Sequence, residues 1–303
     1  MKIFRSILLV AMVIIAIGIS ATAYAQRAKP AVKPVKSLIF AVLDDGKSAE
    51  PIAYVSKGKL EAPVSGGDES GIIAAFNKTY YKPGTVYHLI FGGANAGSVK
   101  IKSSDASAEC APNMATITTT PASAKLGGMV MALGTNAPVV NKGASFRRKP
   151  TPAERTEFEA LVRSVYSKNK LTAKVLKSQN LTALDVNNDG KAELVGSYWI
   201  DIDKLTRAIV FMIAEKGSNG KYVIGHSDYR SIAQKETMNG DIKSVDSGVY
   251  HEVLLDVFDY DGDGVGEIFT YVQSFEGSGF TAYKREGGKW VNAYEFSNYH
   301  CGF

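Results

Sequence analysis

Two acidic segments, residues 185–193 and 259–267, constrain the fold of this chain more than any other part of its sequence. In each nine-residue segment, acidic or amide residues occupy positions 1, 3, 5 and 9, and glycine occupies position 6. The residues that follow, 194–200 and 268–272, are rich in aromatic and β-branched types, which favours strands over helices. The chain therefore has to bring two clusters of like charge into tight turns that lead into β-strands.

The spacing of these side chains suits a calcium ion, which takes about six to eight oxygen ligands at about 2.3–2.6 Å. Alternate residues of a tight loop turn their oxygens to one side, and glycine permits the sharp bend. The predicted ligands are Asp185, Asn187, Asp189, the Lys191 carbonyl and Glu193 in the first segment, and Asp259, Asp261, Asp263, the Val265 carbonyl and Glu267 in the second. Because asparagine replaces one carboxylate in the first segment, we expect the second to bind calcium more tightly.

Polar β-turns are the alternative interpretation of both segments, because Asp, Asn and Gly are common in turns for conformational reasons. Against it, converging carboxylates repel one another unless a cation neutralises them. An EF-hand would need a bidentate glutamate at position 12, where this chain has Gly196 and Thr270. The segments are therefore predicted to be calcium loops between strands and not EF-hands.

Each acidic segment lies inside a β-rich unit, and the two units resemble each other. The predicted strands are 181–185, 193–201, 207–215 and 221–223 in the first unit, and 252–258, 267–275, 279–285 and 289–291 in the second. Both units end in a Gly-Lys-aromatic-Val sequence, at 220–223 and 288–291, which indicates duplication. Each unit is therefore predicted to be a four-stranded antiparallel meander.

The pattern D-x-[DN]-x-D-G-x-x-E leading into a strand resembles the calcium loops of FG-GAP repeats, the blade units of integrin-like β-propellers. The resemblance covers about residues 174–300, although the Phe-Gly and Gly-Ala-Pro signature of that family is not present. It implies that the acidic side chains named above are calcium ligands and that each meander is blade-like. A closed propeller typically needs about four to eight blades, and this chain has two such units.

The N-terminal half has a different β pattern, with short apolar and β-branched runs at 37–43, 85–91, 98–103 and 115–120. Gly-rich and Asp-rich clusters separate these runs, which predicts a mainly β fold with a β-sandwich or barrel-like domain over 37–135. Residues 69–79 are compatible with one or two helical turns. Residues 44–50 faintly repeat the acidic pattern without its upstream acids, and we interpret them as a surface turn.

A linker and one helix connect the two halves. Residues 136–150 are predicted to be the linker, and the basic run 147–149 within it is expected to be solvated. The C-terminal part, 151–303, begins with Thr151, Pro152 and Glu154, a capping sequence that predicts a helix to about Lys168. A stripe on one face of this helix should pack on the core, and it consists of Phe158, Leu161, Val162, Val165 and Tyr166.

The beginning of the sequence predicts export. Lys2 and Arg5 precede an apolar run at 7–19 and an Ala-x-Ala sequence, the order of a secretory signal peptide over residues 1–25. Residues 26–36 then form an extended lead-in. Because a membrane-spanning helix needs about 20 apolar residues, this shorter run favours cleavage over the alternative of an uncleaved anchor, and no stable membrane anchor is predicted.

The two cysteines of the chain, Cys110 and Cys301, both follow the predicted signal peptide. An exported protein meets an oxidising environment, in which disulfides persist. With two cysteines only one intramolecular pairing exists, and we predict it. Two free thiols or an intermolecular bond are the alternatives.

Charge and motifs narrow the function. Cleavage after residue 25 would remove two of the 35 basic residues and none of the 30 acidic ones, leaving a net charge of +3. So small a balance favours neither nucleic acid nor a membrane surface as partner. The four histidines lack the spacing of metal ligands or of a catalytic motif.

These observations predict a secreted or periplasmic calcium-binding protein that acts as a binding, adhesion or structural module. Its partner would be an extracellular protein or a glycan. Aromatic residues near both units should mostly be core, with a minority on a rim that meets the partner, and they are Tyr198, Trp199, Tyr260, Phe275, Phe280, Tyr294 and Phe296. The alternative is a secreted hydrolase whose active site cannot be recognised in the sequence.

Overall fold

Strands make up about half of the computed structural model, which describes residues 35–121, 124–139 and 146–301. The strands are β1 Ser37–Leu43, β2 Ser48–Ser56, β3 Lys59–Glu61, β4 Val86–Phe91, β5 Ala94–Ser104, β6 Ala115–Pro121, β7 Ala132–Thr135, β8 Lys177–Leu184, β9 Glu193–Asp203, β10 Thr206–Lys216, β11 Tyr222–Ala233, β12 Glu252–Phe258, β13 Glu267–Gln273, β14 Gly277–Glu286 and β15 Lys289–Tyr299. The helices are α1 Ser70–Tyr80, α2 Pro152–Lys168 and α3 Lys243–Asp246. The predicted signal peptide and most of the lead-in lie outside the described residues. Within those residues, none of the helices combines the length and apolar character needed to cross a membrane.

Six N-terminal strands close into an antiparallel barrel in the order β1, β7, β4, β5, β6 and β2, because β1 pairs with β2 as well as with β7. This confirms the barrel-like alternative for the N-terminal half. Leu38, Phe40 and Val42 of β1 join the cluster inside the barrel, against which α1 packs Phe76. A Cβ on Gly134 would lie 2.2 Å from the Phe40 ring, so this position requires glycine.

The strand β2 was not expected, because we interpreted residues 44–50 as a surface turn. The turn ends at Gly46, and Ser48 begins a strand in which Glu50 is completely buried. Pro51 lies at a register shift in the β1–β2 ladder, where a residue without an N–H is tolerated. A glutamate followed by proline weakens the strand signal in the first half of β2.

The two C-terminal units are four-stranded antiparallel meanders, with neighbours in the order β8–β9–β10–β11 and β12–β13–β14–β15. Both acidic segments connect the first strand of a meander to its second strand, as predicted. β12 matches its predicted range, 252–258, while the last strands, β11 and β15, extend well beyond theirs. The predicted strand-by-strand similarity of the two units is therefore confirmed in their topology.

Helix α2 begins and ends where its sequence predicts. The Thr151 side chain accepts a hydrogen bond from the Glu154 N–H, and the Glu154 carboxylate accepts one from the Thr151 N–H, which completes the capping box. Phe158, Val162 and Tyr166 are fully buried and pack against the meander β8–β11. The apolar stripe is thus a core-facing stripe.

Three apolar clusters join the elements into layers. One lies between α2 and the meander β8–β11, a second lies between the two meanders, and a third joins the meander β12–β15 to the outer face of the barrel. β1 contributes to the third cluster through Ile39 and Ala41, which explains why this strand is apolar on both faces from Leu38 onward. The meander β12–β15 therefore lies between the other meander and the barrel, and the division of the chain at 136–150 stays a prediction.

The expectation that residues 147–149 are solvated is wrong for Arg147. Its side chain is 6% exposed and lies against the fully buried Asp256, with 3.2 Å between Nη1 and Oδ2. The same nitrogen donates to the carbonyls of Met131 and Leu255. Asp256 also accepts hydrogen bonds from the backbone N–H groups of Gly92 and Val257. Arg147 is therefore a buried cation that joins the predicted linker to both the barrel and β12.

Candidate metal centre

The second acidic segment, called here the 259 loop (residues 259–267), is organised around its first aspartate. Asp259 Oδ1 accepts a hydrogen bond from the Gly262 N–H at 2.7 Å, and Oδ2 accepts one from the Gly264 N–H at 3.1 Å. Both glycines have left-handed backbone angles, with φ of +80° and +88°. These angles wrap the backbone around the carboxylate, which is why glycine is suited to both positions.

Three carboxylates of this loop converge. Ligating oxygens of Asp259, Asp261 and Glu267 lie within 4.8 Å of one another, and this is the one group of three metal-ligating side chains that close together among the described residues. Glu267 begins β13, is 1% exposed and accepts a hydrogen bond from the Tyr260 N–H. Burial and, to a smaller degree, the Asp261 charge raise the pKa of Glu267 to about 7. Its negative charge at the base of the loop is therefore costly without a cation.

Lys284 supplies a cation that the sequence did not predict. From β14 its Nζ donates to Asp261, to Asp263 Oδ2 at 2.7 Å and to Glu267 Oε1 at 3.1 Å. Burial acts to lower the pKa of Lys284, but these carboxylates outweigh burial and raise it above its usual value. The hydrogen bond to Lys284 also lowers the pKa of Asp263. One ammonium group thus contacts three of the four predicted acidic ligands.

The first acidic segment, called here the 185 loop (residues 185–193), repeats these backbone contacts. Asp185 Oδ2 accepts a hydrogen bond from the Gly190 N–H at 2.9 Å, and Asp189 Oδ1 accepts one from the Lys191 N–H at 2.8 Å. Asn187 Oδ1 accepts a bond from the Asp189 N–H. Burial, followed by the charges of Asp189 and Asp185, raises the pKa of Glu193 to about 7.

The two loops differ in how far their side chains converge. The 185 loop does not bring three carboxylates together in the way that the 259 loop does. Its nearest cation is the exposed Lys191, whose Nζ lies 3.7 Å from Asp189 Oδ2. In each loop the residue at position 7, Lys191 or Val265, donates its N–H to the aspartate at position 5. Ligation by the carbonyls of Lys191 and Val265 stays a prediction.

The two loops are in direct contact, which the sequence did not predict. The Gly266 N–H donates to the Val186 carbonyl at 2.7 Å. The Val186 N–H donates in turn to Glu193 Oε2 at 3.2 Å. Val186 therefore links the two loops, because its N–H bonds the buried Glu193 and its carbonyl bonds Gly266, the neighbour of the buried Glu267.

The donor set fits a hard divalent cation. All the predicted side-chain ligands are carboxylate or amide oxygens, which calcium and magnesium prefer, and the described part of neither loop brings in sulfur or imidazole. The 259 loop offers four carboxylates, of which three already meet. The arrangement therefore suits calcium or another hard divalent cation.

A second polar cluster lies where the C-terminal residues meet the barrel. His300 Nε2 lies 2.7 Å from Glu50 Oε1 and 3.4 Å from Ser278 Oγ, and the Ser278 hydroxyl donates to Glu50 at 3.2 Å. In a nucleophilic triad the two imidazole nitrogens serve different partners, one the hydroxyl and the other the carboxylate. Here one nitrogen faces both groups, so this cluster has no proton relay and is a structural network.

The aromatic residues near the two units are buried or half-buried. Tyr198, Trp199 and Phe280 belong to the core, and Tyr260, Tyr294 and Phe296 pack against the cluster between β12–β15 and the barrel. Phe275 is half-buried beside Tyr250, with their ring centroids 6.1 Å apart. Three of the seven are therefore core residues and three more pack against the core half-buried, and an aromatic rim for a partner stays a prediction.

Lys284 could have been found only from the pairing register. Ile268 pairs with Tyr283, which brings the next residue, Lys284, opposite Glu267. Leu194 pairs with Ala214 in the first meander, so Glu215 has the position that Lys284 has in the second. No local motif marks either residue.

In comparisons with known proteins, no family model, curated protein or solved structure matches this chain.

Proposed function

We propose that the chain is a secreted or periplasmic calcium-binding protein, in which the 185 and 259 loops hold the strand connections of two FG-GAP-like β units. The observation that carries this proposal is the convergence of Asp259, Asp261 and Glu267, whose oxygens lie within 4.8 Å of one another. Like charges at this separation favour a bound cation. The disulfide between Cys110 and Cys301 supports an oxidising compartment.

Three structural features support the proposed resemblance of the two units to FG-GAP repeats. Each unit is a four-stranded meander, its acidic loop joins the first two strands, and an apolar cluster joins the two meanders. The proposed role of calcium is to neutralise the buried glutamates Glu193 and Glu267 and so to stiffen the loop end of both meanders. Such an end would serve a binding, adhesion or structural module whose partner is an extracellular protein or a glycan.

Calorimetric titration with calcium tests the proposal. We expect binding with a Kd of about 10⁻⁴ to 10⁻³ M, the range of extracellular calcium modules. Free calcium at about 100 times the Kd should stabilise the fold by about 2.7 kcal/mol for each occupied site, and EDTA should remove this effect in thermal melts. The variant Asp259→Asn/Asp261→Asn should lose the heat of the second site.

The matched control is Asp105→Asn, because Asp105 is an exposed aspartate in a barrel loop whose side chain accepts bonds from Ser107. It should bind calcium as the unchanged protein does. A protein that takes up no divalent cation and melts identically with calcium and with EDTA would contradict the proposed function.

A further inference from the structure

Lys284 places its ammonium group among the predicted metal ligands of the 259 loop. Its side chain is 17% exposed and comes from β14, a strand outside the loop. The Nζ atom contacts Oδ2 of Asp261, Oδ2 of Asp263 and Oε1 of Glu267, whose side chains are 18%, 44% and 1% exposed. The contacts therefore extend from the rim of the loop to its buried base.

The first meander lacks this feature. Glu215, at the equivalent position, accepts hydrogen bonds from Arg285 and from the Trp290 ring nitrogen at 3.3 Å. It thus turns to the second meander and brings no positive charge to the 185 loop. The two loops have similar backbones but differ in the residue that faces their buried glutamate.

We propose that Lys284 is a tethered counter-ion that competes with the metal for the 259 loop. This inference rests on the proposed function, because it concerns the affinity of the same site. A divalent ion that uses Asp261, Asp263 and Glu267 has to displace the ammonium group, whose bonds with these three carboxylates must first break. Lys284 therefore opposes the expectation that the second segment binds calcium more tightly, because in the 185 loop the exposed Lys191 contacts one carboxylate only.

The tethered cation should also affect the stability of the loop when no calcium is bound. With Lys284 in place, part of the charge of the 259 loop is neutralised within the chain. Without it, four acidic side chains share the loop and repel one another. Removal of the ammonium group should therefore make the stability of this loop dependent on an added cation.

The test compares Lys284→Met with Lys289→Met, both in the full chain. Lys289 is an exposed lysine at the start of the adjacent strand β15, so its replacement removes the same charge from the same hairpin. Asp185→Asn/Asp189→Asn is added to each protein so that calorimetry with CaCl2 reports the 259 loop alone. Thermal melts of each protein are recorded in EDTA and with calcium.

We expect Lys284→Met to bind calcium on the order of ten-fold more tightly than Lys289→Met, a difference of about 1.4 kcal/mol. In EDTA, Lys284→Met should melt at a lower temperature than Lys289→Met, and calcium should abolish this difference. Equal calcium affinities of the two variants, or equal melting in EDTA, would overturn the role of Lys284 while leaving the calcium function in place. If no variant binds calcium, even with an intact 185 loop, the proposed function itself fails.

Discussion

At the scale of single residues, the buried carboxylate of Asp256 carries a large desolvation cost. It is completely shielded from solvent and is satisfied by the Arg147 guanidinium together with backbone N–H groups from the turn between β4 and β5. A buried ion pair gains little over an apolar pair, but a buried charge that has lost its partner is strongly destabilising. Arg147 is therefore worth more to stability than its place in a predicted linker would indicate.

Replacing Arg147 tests this assignment. Arg147→Met should lower the free energy of unfolding by about 3–5 kcal/mol, because Asp256 stays buried without its cation. The control is Arg148→Met, since Arg148 is an exposed neighbour that forms a two-bond pair with Glu154. This change should cost about 1 kcal/mol or less. Urea denaturation measures both values, and equal losses in the two variants would contradict the burial of Arg147.

At the scale of elements, the sequence predicted what depends on local signals. The capping residues of α2 and the apolar run of β12 act within a few positions, and both elements were correctly bounded. β2 was missed because Glu50 and Pro51 are poor strand residues that only the pairing with β1 accounts for. The placement of the two acidic loops between strands followed from spacing, whereas the position of Lys284 and the contact between Gly266 and Val186 depend on register and stacking, which no local pattern encodes.

The contact between the 185 loop and the 259 loop is made by Gly266, which is packed tightly. A Cβ added there would lie 2.3 Å from Val257 Cγ1, so Gly266→Ala must move the valine or the loop. We expect a loss of about 1–3 kcal/mol in the free energy of unfolding, the usual cost of overpacking. The control is Gly71→Ala in the first turn of α1, where an added Cβ meets nothing within 4 Å. The control should be neutral or stabilising by about 0.4–1 kcal/mol, and a Gly266→Ala protein as stable as this control would refute the close contact.

At the scale of the whole molecule, the C-terminal residues are fastened to the barrel. The Cys110–Cys301 disulfide joins the barrel to the end of the described chain, as predicted. Beside it, His300 pairs with Glu50 of β2, and Asn298 donates to the same carboxylate at 2.8 Å. The end of the last meander is therefore tied to β2 by ionic and hydrogen bonds and to the β5–β6 connection by a covalent bond.

The His300–Glu50 pair gives stability a pH dependence. Burial acts to lower the pKa of His300, but the Glu50 carboxylate outweighs burial and raises it above its ordinary value near 6.5. A raised pKa in the folded state means that this contribution is fully present below about pH 6.5 and is lost as the pH rises through the folded-state value.

His300→Gln should therefore cost stability at pH 5.5 and much less at pH 8.5, as measured by urea denaturation. Burial lowers the pKa of His251 to about 4, which acts in the opposite direction as the pH falls. For this reason the quantity to compare at each pH is the difference in free energy of unfolding between His300→Gln and the unchanged protein. A difference that does not change with pH would show that the imidazole charge is not involved.

The covalent bond near the end of the chain also sets an order of events during biogenesis. Cys110 precedes its partner by 191 residues, and their Cα atoms have to come within 4.9 Å. A polypeptide that emerges from its N-terminal side thus carries an unpaired thiol until both meanders have been synthesised. The native disulfide can form only after the last strand has reached the barrel, so its formation marks the end of folding.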